Sequence, residues 1–395
     1  MKFKMAFAIL LFTVIASSYS QELKSPKFGK GLFNLVGKDS SWTMKIGTRF
    51  QFLASNLMSE GQSPETNFLI RRARLKFDGF AVSPKLKYKI ELGLSNRDMS
   101  GVTPFTRNTP RYVMDAVIKY NFYGNFVLWV GQTKLPGNRE RVISSANMQQ
   151  VDRSVLNARF NIDRDIGFQL RHHFTLFNNF EVREIFALSQ GEGRNVVTGN
   201  LGGHQYTGRI ELLPFGKFEG KGDYFGSDLK REQTPKLAIG VTYDHNNNAV
   251  KTRSNMGSWM ETDTGFYETN INTLFIDAMF KYKGFSLMTE YADRDAPDPI
   301  AKNSDGTETG DIVQVGTGIN IQSGYLFKNN WEVSGRYSYV KLDEITGKAP
   351  DKQYTLGFSK YIVGHSLKVQ TDFSFIDFND RTDQYLYRLQ FDIHF

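Results

Sequence analysis

The 395-residue sequence contains no cysteine. Disulfide bonds, thiolate metal sites and cysteine nucleophiles are therefore excluded. Only 11 prolines stand against 35 glycines, which suits many turns between strands. The mean hydropathy of −0.40 is too low for a bundle of membrane-spanning helices, since each helix needs an apolar run of about 20 residues. What the chain does have is 14% aromatic and 23% charged residues, a composition that argues against disorder.

The one long apolar run lies at the N-terminus. Two lysines precede an apolar core at residues 5–16, and small residues stand at positions −3 and −1 of a cleavage site after Ser20. This arrangement predicts a secretory signal peptide over residues 1–20, because the core is too short to remain as a membrane anchor. We expect a short periplasmic segment at residues 21–40 and the main domain at residues 41–395.

Apolar and polar residues alternate with a period of two along nearly all of the main domain. About sixteen segments show this pattern, each about ten residues long, which is the length of a tilted strand that crosses a membrane. Most connections alternate between short turns and long polar loops, as in outer-membrane barrels. Residues 55–66 belong to the expected long loops, whereas residues 215–235 are long and glycine-rich where a short turn is expected. The sequence thus predicts an all-β, antiparallel transmembrane barrel.

A secreted β-sandwich or propeller is the soluble alternative, because its strands also alternate. Tyr, Trp and Phe are frequent at the ends of the apolar segments, which favours the aromatic girdles of a membrane barrel. The chain also ends on Phe395, at the close of a strand with an apolar face. Closure of the barrel should pair Trp42–Phe52 with Tyr385–Phe395, because lipid cannot satisfy an unpaired strand edge.

Charge is concentrated on the polar faces of the predicted strands. Where the alternation is clear, these faces carry sixteen basic and nine acidic side chains. The opposite faces are almost free of charge, with Arg71 and Lys360 as the exceptions near strand ends, where long side chains can reach water. A basic surplus inside a pore raises the local concentration of anions. The alternative is that these charges form ion pairs along the wall.

The connection Leu135–Arg164 carries five arginines and is the longest in the first half of the chain. We expect it to fold inward as a constriction loop, since an open sixteen-stranded barrel leaves a wide aqueous channel. Arginine suits an anion pathway because it is always charged and presents a planar fork to oxyanions. The alternative is a surface loop that binds lipopolysaccharide phosphates. The candidate anion-lining residues are Arg49, Arg72, Arg74, Lys76, Lys85, Lys87, Lys89, Lys119, Arg139, Arg141, Arg153, Arg159, Arg171 and Arg209.

Three short motifs stand out: Phe-Leu-Ile-Arg-Arg-Ala-Arg-Leu at 68–75, Val-Gly-Gln-Thr-Lys-Leu-Pro-Gly at 130–137 and Asp-Arg-Ser at 152–154. Together they resemble motifs of a known family, the phosphate-selective porins O and P, especially members from Bacteroidota. The resemblance implies a sixteen-stranded trimeric channel with basic rings and an inward loop. Two departures are Asp152, where the family has Glu, and Gly137, which follows the proline in place of a bulky residue.

No catalytic, metal or cofactor motif stands out in the sequence. A calcium site formed by Asp293, Asp295 and Asp298 is less favoured than a solvated loop, and no Ser–His pair supports a lipase-type barrel enzyme. We therefore expect a bacterial outer-membrane porin for passive diffusion of small anions, foremost phosphate or polyphosphate. A weakly selective general porin is the alternative. The expected partners are small anions, membrane lipid, lipopolysaccharide and two further copies of the chain, but not nucleic acid.

Overall fold

The computed structural model describes residues 27–99, 103–106, 111–177, 179–378 and 381–395. The predicted signal peptide and the first part of the predicted periplasmic segment lie outside the described residues. Within the rest of that segment, Phe33–Val36 form a short strand that pairs antiparallel with residues 43–46.

Sixteen long strands within the described residues form one antiparallel sheet, in which chain neighbours pair with each other. Their bounds are β1 (Thr43–Ser59), β2 (Glu65–Ala81), β3 (Ser83–Gly93), β4 (Val113–Tyr123), β5 (Phe126–Lys134), β6 (Arg164–Leu176), β7 (Phe180–Ser189), β8 (Gln205–Leu213), β9 (Lys236–Ala249), β10 (Thr269–Tyr282), β11 (Phe285–Asp295), β12 (Gly316–Leu326), β13 (Trp331–Leu342), β14 (Asp351–Tyr361), β15 (Leu367–Phe378) and β16 (Gln384–His394).

The first and last strands close the sheet into a barrel. Residues of β1 pair with β2 on one side and with β16 on the other, and Phe52 lies opposite Phe391 in the second ladder. The predicted pairing of the first and last strands is therefore confirmed, but the paired residues of β1 are 49–59, so the contact extends past the predicted range 42–52. Closure leaves no long strand edge to be satisfied by lipid.

The exposed outer face of the barrel is apolar and its inner face is polar, which is the reverse of a soluble protein. In β1, Phe50 and Phe52 are 39% and 48% exposed, whereas the alternating residues Arg49 and Gln51 are 7% and 0% exposed. The apolar face thus points outward and the polar face inward, which removes the soluble sandwich or propeller from consideration. None of the helices in the described ranges has the length and apolar character needed to cross a bilayer.

Short turns gather at one end of the barrel, which we call the turn rim, and most long loops gather at the other, the loop rim. The turn rim includes connections 124–125 and 283–284. Lys283 and Gly284 both have positive φ angles, as a two-residue type I′ hairpin requires. In outer-membrane barrels the short turns face the periplasm and the longer loops face outward.

The first loop-rim connection is shorter than the sequence suggested. The expected loop 55–66 is mostly strand, and only residues 60–64 connect β1 to β2. Polar strand ends outside the apolar belt keep their pairing, supported by a 2.7 Å hydrogen bond from Asn56 Nδ2 to Thr66 Oγ1. The polar composition of residues 55–66 predicted a loop, because polar residues are common in loops exposed to water. The backbone pairing of β1 with β2 nevertheless continues through most of these residues.

Two of the long connections contain helical segments and lead to the site described below. The connection from β5 to β6 contains the short helices α1 (Arg139–Val142) and α2 (Val155–Phe160). The connection from β8 to β9, residues 214–235, contains the 3₁₀ segment Glu219–Tyr224. This second segment is the long insertion that the sequence showed at a position where a short turn was expected.

Candidate functional site

The β5–β6 connection, residues 135–163, contacts the polar face of strands around the ring. Ser145 Oγ accepts a 2.7 Å hydrogen bond from Arg49 of β1, and Gln149 Nε2 donates to Ser286 of β11 at 2.8 Å. Met148 O accepts a 3.0 Å hydrogen bond from Lys368 of β15. β11 lies far around the ring from β1 and β15, so the connection is held from more than one direction.

An apolar cluster also holds this connection. Leu156 and Phe160 on α2 are fully buried and pack with inward-facing Phe275 of β10 and Val340 of β13. Ser154 caps α2 by accepting a 3.1 Å hydrogen bond from Asn157 N. Some inward-facing residues of the wall are therefore apolar, and the connection packs against them. A count of the charged residues on the inward faces does not reveal this contact.

Three of the predicted anion-lining residues are neutralised in buried ion pairs. Arg209 and Arg139 share the carboxylate of Asp277, at 2.6 Å and 2.8 Å, and both also lie near Glu211. Arg49 pairs with Asp392 at 2.7 Å. Residues 49, 139 and 209 are at most 7% exposed. Two buried charges of opposite sign cancel at a distance, so these residues add little to the electric field of the pore. Their role is to hold the connection in position.

A cavity of about 900 Å³ opens between the 135–163 connection and strands β2 to β6 on the loop-rim side. Its described lining contains thirteen basic side chains and three acidic ones. The basic residues are Arg71, Arg72, Arg74, Arg97, Arg111, Lys134, Arg141, Arg153, Arg159, Arg164, Arg194, Lys251 and Arg253, and the acidic residues are Asp98, Asp152 and Asp163.

Five predicted site residues line this cavity. Arg74 pairs with Asp98 at 2.7 Å and with Glu91 at 2.9 Å, and Arg159 pairs with Asp351 at 3.0 Å. Arg141 pairs with Asp163. Of the other two, Arg72 donates a hydrogen bond to a side-chain amide oxygen, and Arg153 donates one to a backbone carbonyl oxygen. Both guanidinium groups also have carboxylates nearby. The structure thus brings Arg72 and Arg74 of β2 together with three arginines of the β5–β6 connection.

A β-bulge places Arg71 and Arg72 on the same side of β2. Gln51 pairs with Arg72 and the next residue, Phe52, pairs with Ile70, so Arg71 is the extra residue. The expectation that Arg71 faces lipid is therefore wrong. Its guanidinium lies 2.8 Å from Asp152 and lines the cavity beside Arg72, because a bulge interrupts the alternation of faces.

The Asp-Arg-Ser motif at 152–154 is part of the scaffold of the connection. Burial opposes the charge of Asp152, but the guanidinium groups of Arg71 and Arg72 hold the pKa of its carboxyl well below the usual value. Burial, together with neighbouring Arg141, lowers the pKa of Arg153 to about 9. The Arg153 guanidinium donates to the carbonyl oxygens of Glu140 and Ile143, at 3.0 Å and 2.9 Å.

The remaining candidates lie between the cavity and the turn rim, on the wall formed by β2 to β6. Lys89 contacts Glu91 and Asp115, each at 2.6 Å, and Lys76 contacts Asp78 at 2.8 Å. Both Lys119 and Arg171 stack on the ring of Trp129, at 3.7 Å and 3.9 Å from its centroid. Residues 85 and 87 share the face of Lys89 and are exposed. We call residues 76, 85, 87, 89 and 119 the lysine strip.

Eight basic residues of the cavity are absent from the predicted anion-lining set. Six of them, residues 71, 97, 111, 194, 251 and 253, stand at a bulge or in loops, where a period of two gives no phase. Arg164, the last of the five arginines counted in the connection, begins β6 and pairs with Asp115 at 3.1 Å. The eighth, Lys134, ends β5 within the motif at 130–137 and donates to the carbonyl oxygens of Arg141 and Ile143. That motif was the one signal that pointed to it.

No cluster of three or more His, Asp or Glu suited to a metal ion occurs in the portion of the chain described here. This includes the loop with Asp293, Asp295 and Asp298, for which calcium was considered.

A closed barrel that is apolar outside, charged inside and holds a basic cavity defines the class of outer-membrane channel proteins. Within that class, the chain belongs to the phosphate-selective porin O and P family, whose sequence profile matches residues 44–392. It is a channel of the bacterial outer membrane and not an enzyme, so the lipase-type alternative falls.

Several solved structures are similar to the fold. An anion-selective porin from Comamonas acidovorans is 11% identical, with a TM-score of 0.56 over 90% of this chain and 100% of that one. The outer-membrane channel DcaP of Acinetobacter baumannii is 12% identical, with a TM-score of 0.54 over 91% and 99%. OmpT of Vibrio cholerae in its trimer form is 12% identical, with a TM-score of 0.53 over 89% and 99%. Among curated proteins, no sequence matches this chain at a significant level.

Proposed function

We propose that this porin conducts small anions in preference to cations, with phosphate or polyphosphate as the favoured substrates. The observation that carries the proposal is the cavity of about 900 Å³, whose described lining has thirteen basic side chains against three acidic ones. Fixed charge of one sign within low-dielectric walls concentrates counter-ions and repels ions of the same sign. Guanidinium groups add planar donor pairs that match phosphate oxygens.

The anion path runs from the cavity along β2 to β5 to the turn rim. Arg71, Arg72 and Arg74 lie at the cavity, and the lysine strip continues on the same wall toward the turns. Lys76 is 42% exposed at its side chain, and Lys85 and Lys87 are also exposed, so their ammonium groups remain accessible to passing ions. A graded change from arginine to lysine would bind an oxyanion firmly at the cavity and release it toward the turn rim.

The 135–163 connection constricts this path. Its contacts with β1, β11 and β15 support a position within the ring of strands. Arg141, Arg153 and Arg159 of the connection line the cavity opposite Arg71, Arg72 and Arg74 of β2. An anion in the cavity would thus meet arginines from two sides.

A weakly selective general porin is the second candidate, favoured by the ion pairs on the wall. Arg49, Arg139 and Arg209 are neutralised by Asp392, Asp277 and Glu211. If pairing of this kind also neutralised the cavity, little net field would remain. Three lining arginines also have carboxylate partners outside the lining, namely Arg74 with Glu91, Arg159 with Asp351 and Arg164 with Asp115. When these three carboxylates are added to the three in the lining, the thirteen basic residues still exceed the acidic ones by seven, which favours the anion channel over this candidate.

We also propose that three copies of the chain assemble, with lipid and lipopolysaccharide around them. Support comes from the similar fold of OmpT of Vibrio cholerae, which is described in a trimer form. The outward apolar face, with Phe52 48% and Phe168 53% exposed, is suited to contact lipid or another barrel.

Planar-bilayer recordings test the proposed selectivity. Under a gradient of potassium chloride, we expect a reversal potential of the sign set by chloride. Added inorganic phosphate should reduce the chloride current at concentrations well below that of chloride, because arginine pairs hold the oxyanion longer. Chloride selectivity without inhibition by phosphate would limit the function to general anion diffusion. A reversal potential of the sign set by potassium would reject the anion channel.

A further inference from the structure

We propose that residues 214–235, the connection between β8 and β9, form a second obstruction inside the barrel and set the largest solute that can pass. We call this connection the turn plug. It starts at the turn rim, opposite the loop rim from which the 135–163 connection enters. Such an obstruction sets the width of the pore, whichever ion the pore prefers.

Lys281 of β10 clamps the turn plug from within the wall. Its fully buried ammonium group donates to three backbone carbonyl oxygens of the plug, those of Gly222 at 2.8 Å, Phe225 at 3.0 Å and Ser227 at 2.6 Å. A lysine side chain on the polar face of a strand points into the barrel, so the backbone that it binds also lies inside. The three acceptors match the three donors of an ammonium group.

Two other strands and a turn hold the plug in the same position. Ser227 Oγ donates to Glu332 of β13 at 2.7 Å, and Arg183 of β7 contacts Asp223. The carboxylate of Asp228 accepts from Gly284 N, in the turn between β10 and β11, at 2.8 Å. Asp223 and Asp228 are at most 1% exposed, although such residues in an ordinary surface turn would be solvated.

The turn plug and the 135–163 connection meet directly. Gly226 N donates a 2.7 Å hydrogen bond to Asn147 O. A Cβ atom on Gly226 would lie 2.5 Å from Gln149 N, so the two backbones are too close to admit a side chain. Phe218 of the plug and Ile143 of the connection share one buried apolar cluster with Met279. The two segments therefore form one continuous obstruction.

The anchors of the plug leave one side of the barrel open. They lie on β7, β8, β10, β13 and β14 and at the β10–β11 and β12–β13 turns, whereas the lysine strip lies on β2 to β4. None of the residues 214–235 lines the cavity of about 900 Å³. Obstruction of one half of the lumen confines solutes to the opposite wall, along the lysine strip.

The turn plug has no net charge over residues 216–234, so it does not add to the basic surplus of the pore. Residues 216–234 carry Lys217, Lys221, Lys230 and Arg231 together with Glu219, Asp223, Asp228 and Glu232, so their formal charges cancel. Removal of this stretch changes the cross-section of the pore at constant net charge. An effect on conductance and solute size is therefore separable from an effect on ion selectivity.

Two variants test the proposal. In the first, residues 216–234 are replaced by Asn-Gly, a dipeptide that forms short hairpin turns. In the second, Lys281→Met removes the ammonium clamp, and Lys328→Met is the matched control because it removes one lysine at the same rim, outside the plug. Single-channel conductance is measured in bilayers, and the size limit is measured from the swelling of porin-containing liposomes in neutral sugars.

We expect the shortened variant roughly to double the conductance or more, since an unobstructed sixteen-stranded barrel is a wide aqueous channel. It should also admit larger neutral sugars than the wild-type protein. Lys281→Met should shift both measures in the same direction, whereas Lys328→Met should leave them unchanged. Circular dichroism and heat-dependent gel mobility show which variants are folded, and the shortened variant decides alone if Lys281→Met does not fold.

Conductance and sugar limit equal to or below the wild-type values in the folded, shortened variant would overturn the proposal. Anion selectivity is recorded in the same experiments. A wider pore that favours potassium would support the plug and reject the anion channel, whereas an unchanged pore that favours chloride would do the reverse.

Discussion

At Arg71 and Arg72, a single extra residue in β2 changes the lining of the pore. Strict alternation would send the first guanidinium into lipid, where a cation at mid-depth costs about 2–4 kcal/mol. The bulge instead brings both side chains to Asp152, at 2.8 Å and 3.6 Å. Two cations that share one carboxylate leave a net positive charge at this position, which faces the cavity.

Arg71→Gln should therefore move the reversal potential toward that of potassium, because it removes one unit of charge from the cavity while Arg72 stays paired with Asp152. The measurement is the reversal potential under a potassium chloride gradient. Lys360→Gln is the matched control, since Lys360 donates to Asn329 O at the turn rim and is not in the cavity lining. Equal shifts in both variants would contradict a local role for Arg71.

Asp277 is the residue on which the buried ion pairs depend. Its carboxylate contacts Arg139 and Arg209, and all three side chains are almost fully buried. Asp277→Ala should lower the free energy of unfolding by about 3–5 kcal/mol, because two buried guanidinium groups lose their main partner. Urea titration in lipid vesicles measures this change. Asp305→Ala, in an exposed loop, is the control, and a similar loss there would contradict the explanation.

The charge of the cavity should depend on pH through Lys251. Burial, together with nearby Arg111, lowers the pKa of Lys251 to about 8, and burial raises the pKa of Glu192 to about 7. Lys251 is charged below its pKa and neutral above it, while Glu192 becomes negative above its own. Both changes make the net charge of this region less positive as pH rises. The charges of Asp165 and Arg253, which also influence the pKa of Lys251, act on it in opposite directions.

Anion selectivity should accordingly be greater at pH 6 than at pH 9, as read from reversal potentials at the two values. Lys251→Met should reduce this difference and lower the selectivity at pH 6. A wild-type selectivity that rises with pH would show that other groups control the charge of the cavity.

At the scale of elements, the barrel wall and the 135–163 connection are held by different kinds of contact. The strands close by backbone pairing that requires little of the individual side chains. The 135–163 connection, by contrast, is positioned by particular contacts such as Arg49 with Ser145 and Phe160 with Phe275. A change in the connection should thus alter the pore while leaving the wall folded.

Replacement of residues 139–163 by a short glycine-serine turn should raise the conductance and weaken the anion selectivity. The reason is that the change widens the path and removes three arginines of the cavity lining, residues 141, 153 and 159, against two lining carboxylates, residues 152 and 163. Bilayer recordings measure both quantities. Shortening the loop-rim hairpin between Ile300–Lys302 and Glu308–Ile312 is the control and should affect neither. Unchanged conductance after removal of 139–163 would show that this connection does not constrict the pore.

At the scale of the whole molecule, an apolar exterior and a basic interior suit both the membrane and the proposed solute. The field in the pore is the sum of many fixed charges, several of which have carboxylate partners. Such a field extends over about 10 Å in 0.1 M salt but only about 3 Å in 1 M salt. The screening length of this field, compared with the width of the path, determines how strongly the fixed charges act on a passing ion.

Anion preference should therefore fall when the same tenfold gradient is applied around 1 M instead of 0.1 M potassium chloride. The permeability ratio of chloride to potassium, obtained from the two reversal potentials, measures the change. If the ratio is the same at both concentrations, direct contact between ion and arginine controls selectivity, and the long-range field does not.

The local sequence determined the wall of the barrel. A period of two over about ten residues defines a strand and assigns its lipid face, so the number of strands and the pairing of Trp42–Phe52 with the last strand were predictable. The position of the inserted turn at 215–235 was also visible, because its polarity and length interrupted the alternation of short and long connections.

Only the tertiary structure decided how charge is distributed within that wall. Arg49, Arg139 and Arg209 have carboxylate partners on strands distant in sequence, and no pattern along the chain indicates such a pairing. The bulge at Arg71 and the convergence of loop residues such as Lys251 and Arg253 on one cavity likewise depend on long-range contacts. Periodicity fixes the face on which a residue lies, but the charge that remains there depends on its neighbours across the lumen, which closure of the barrel brings together.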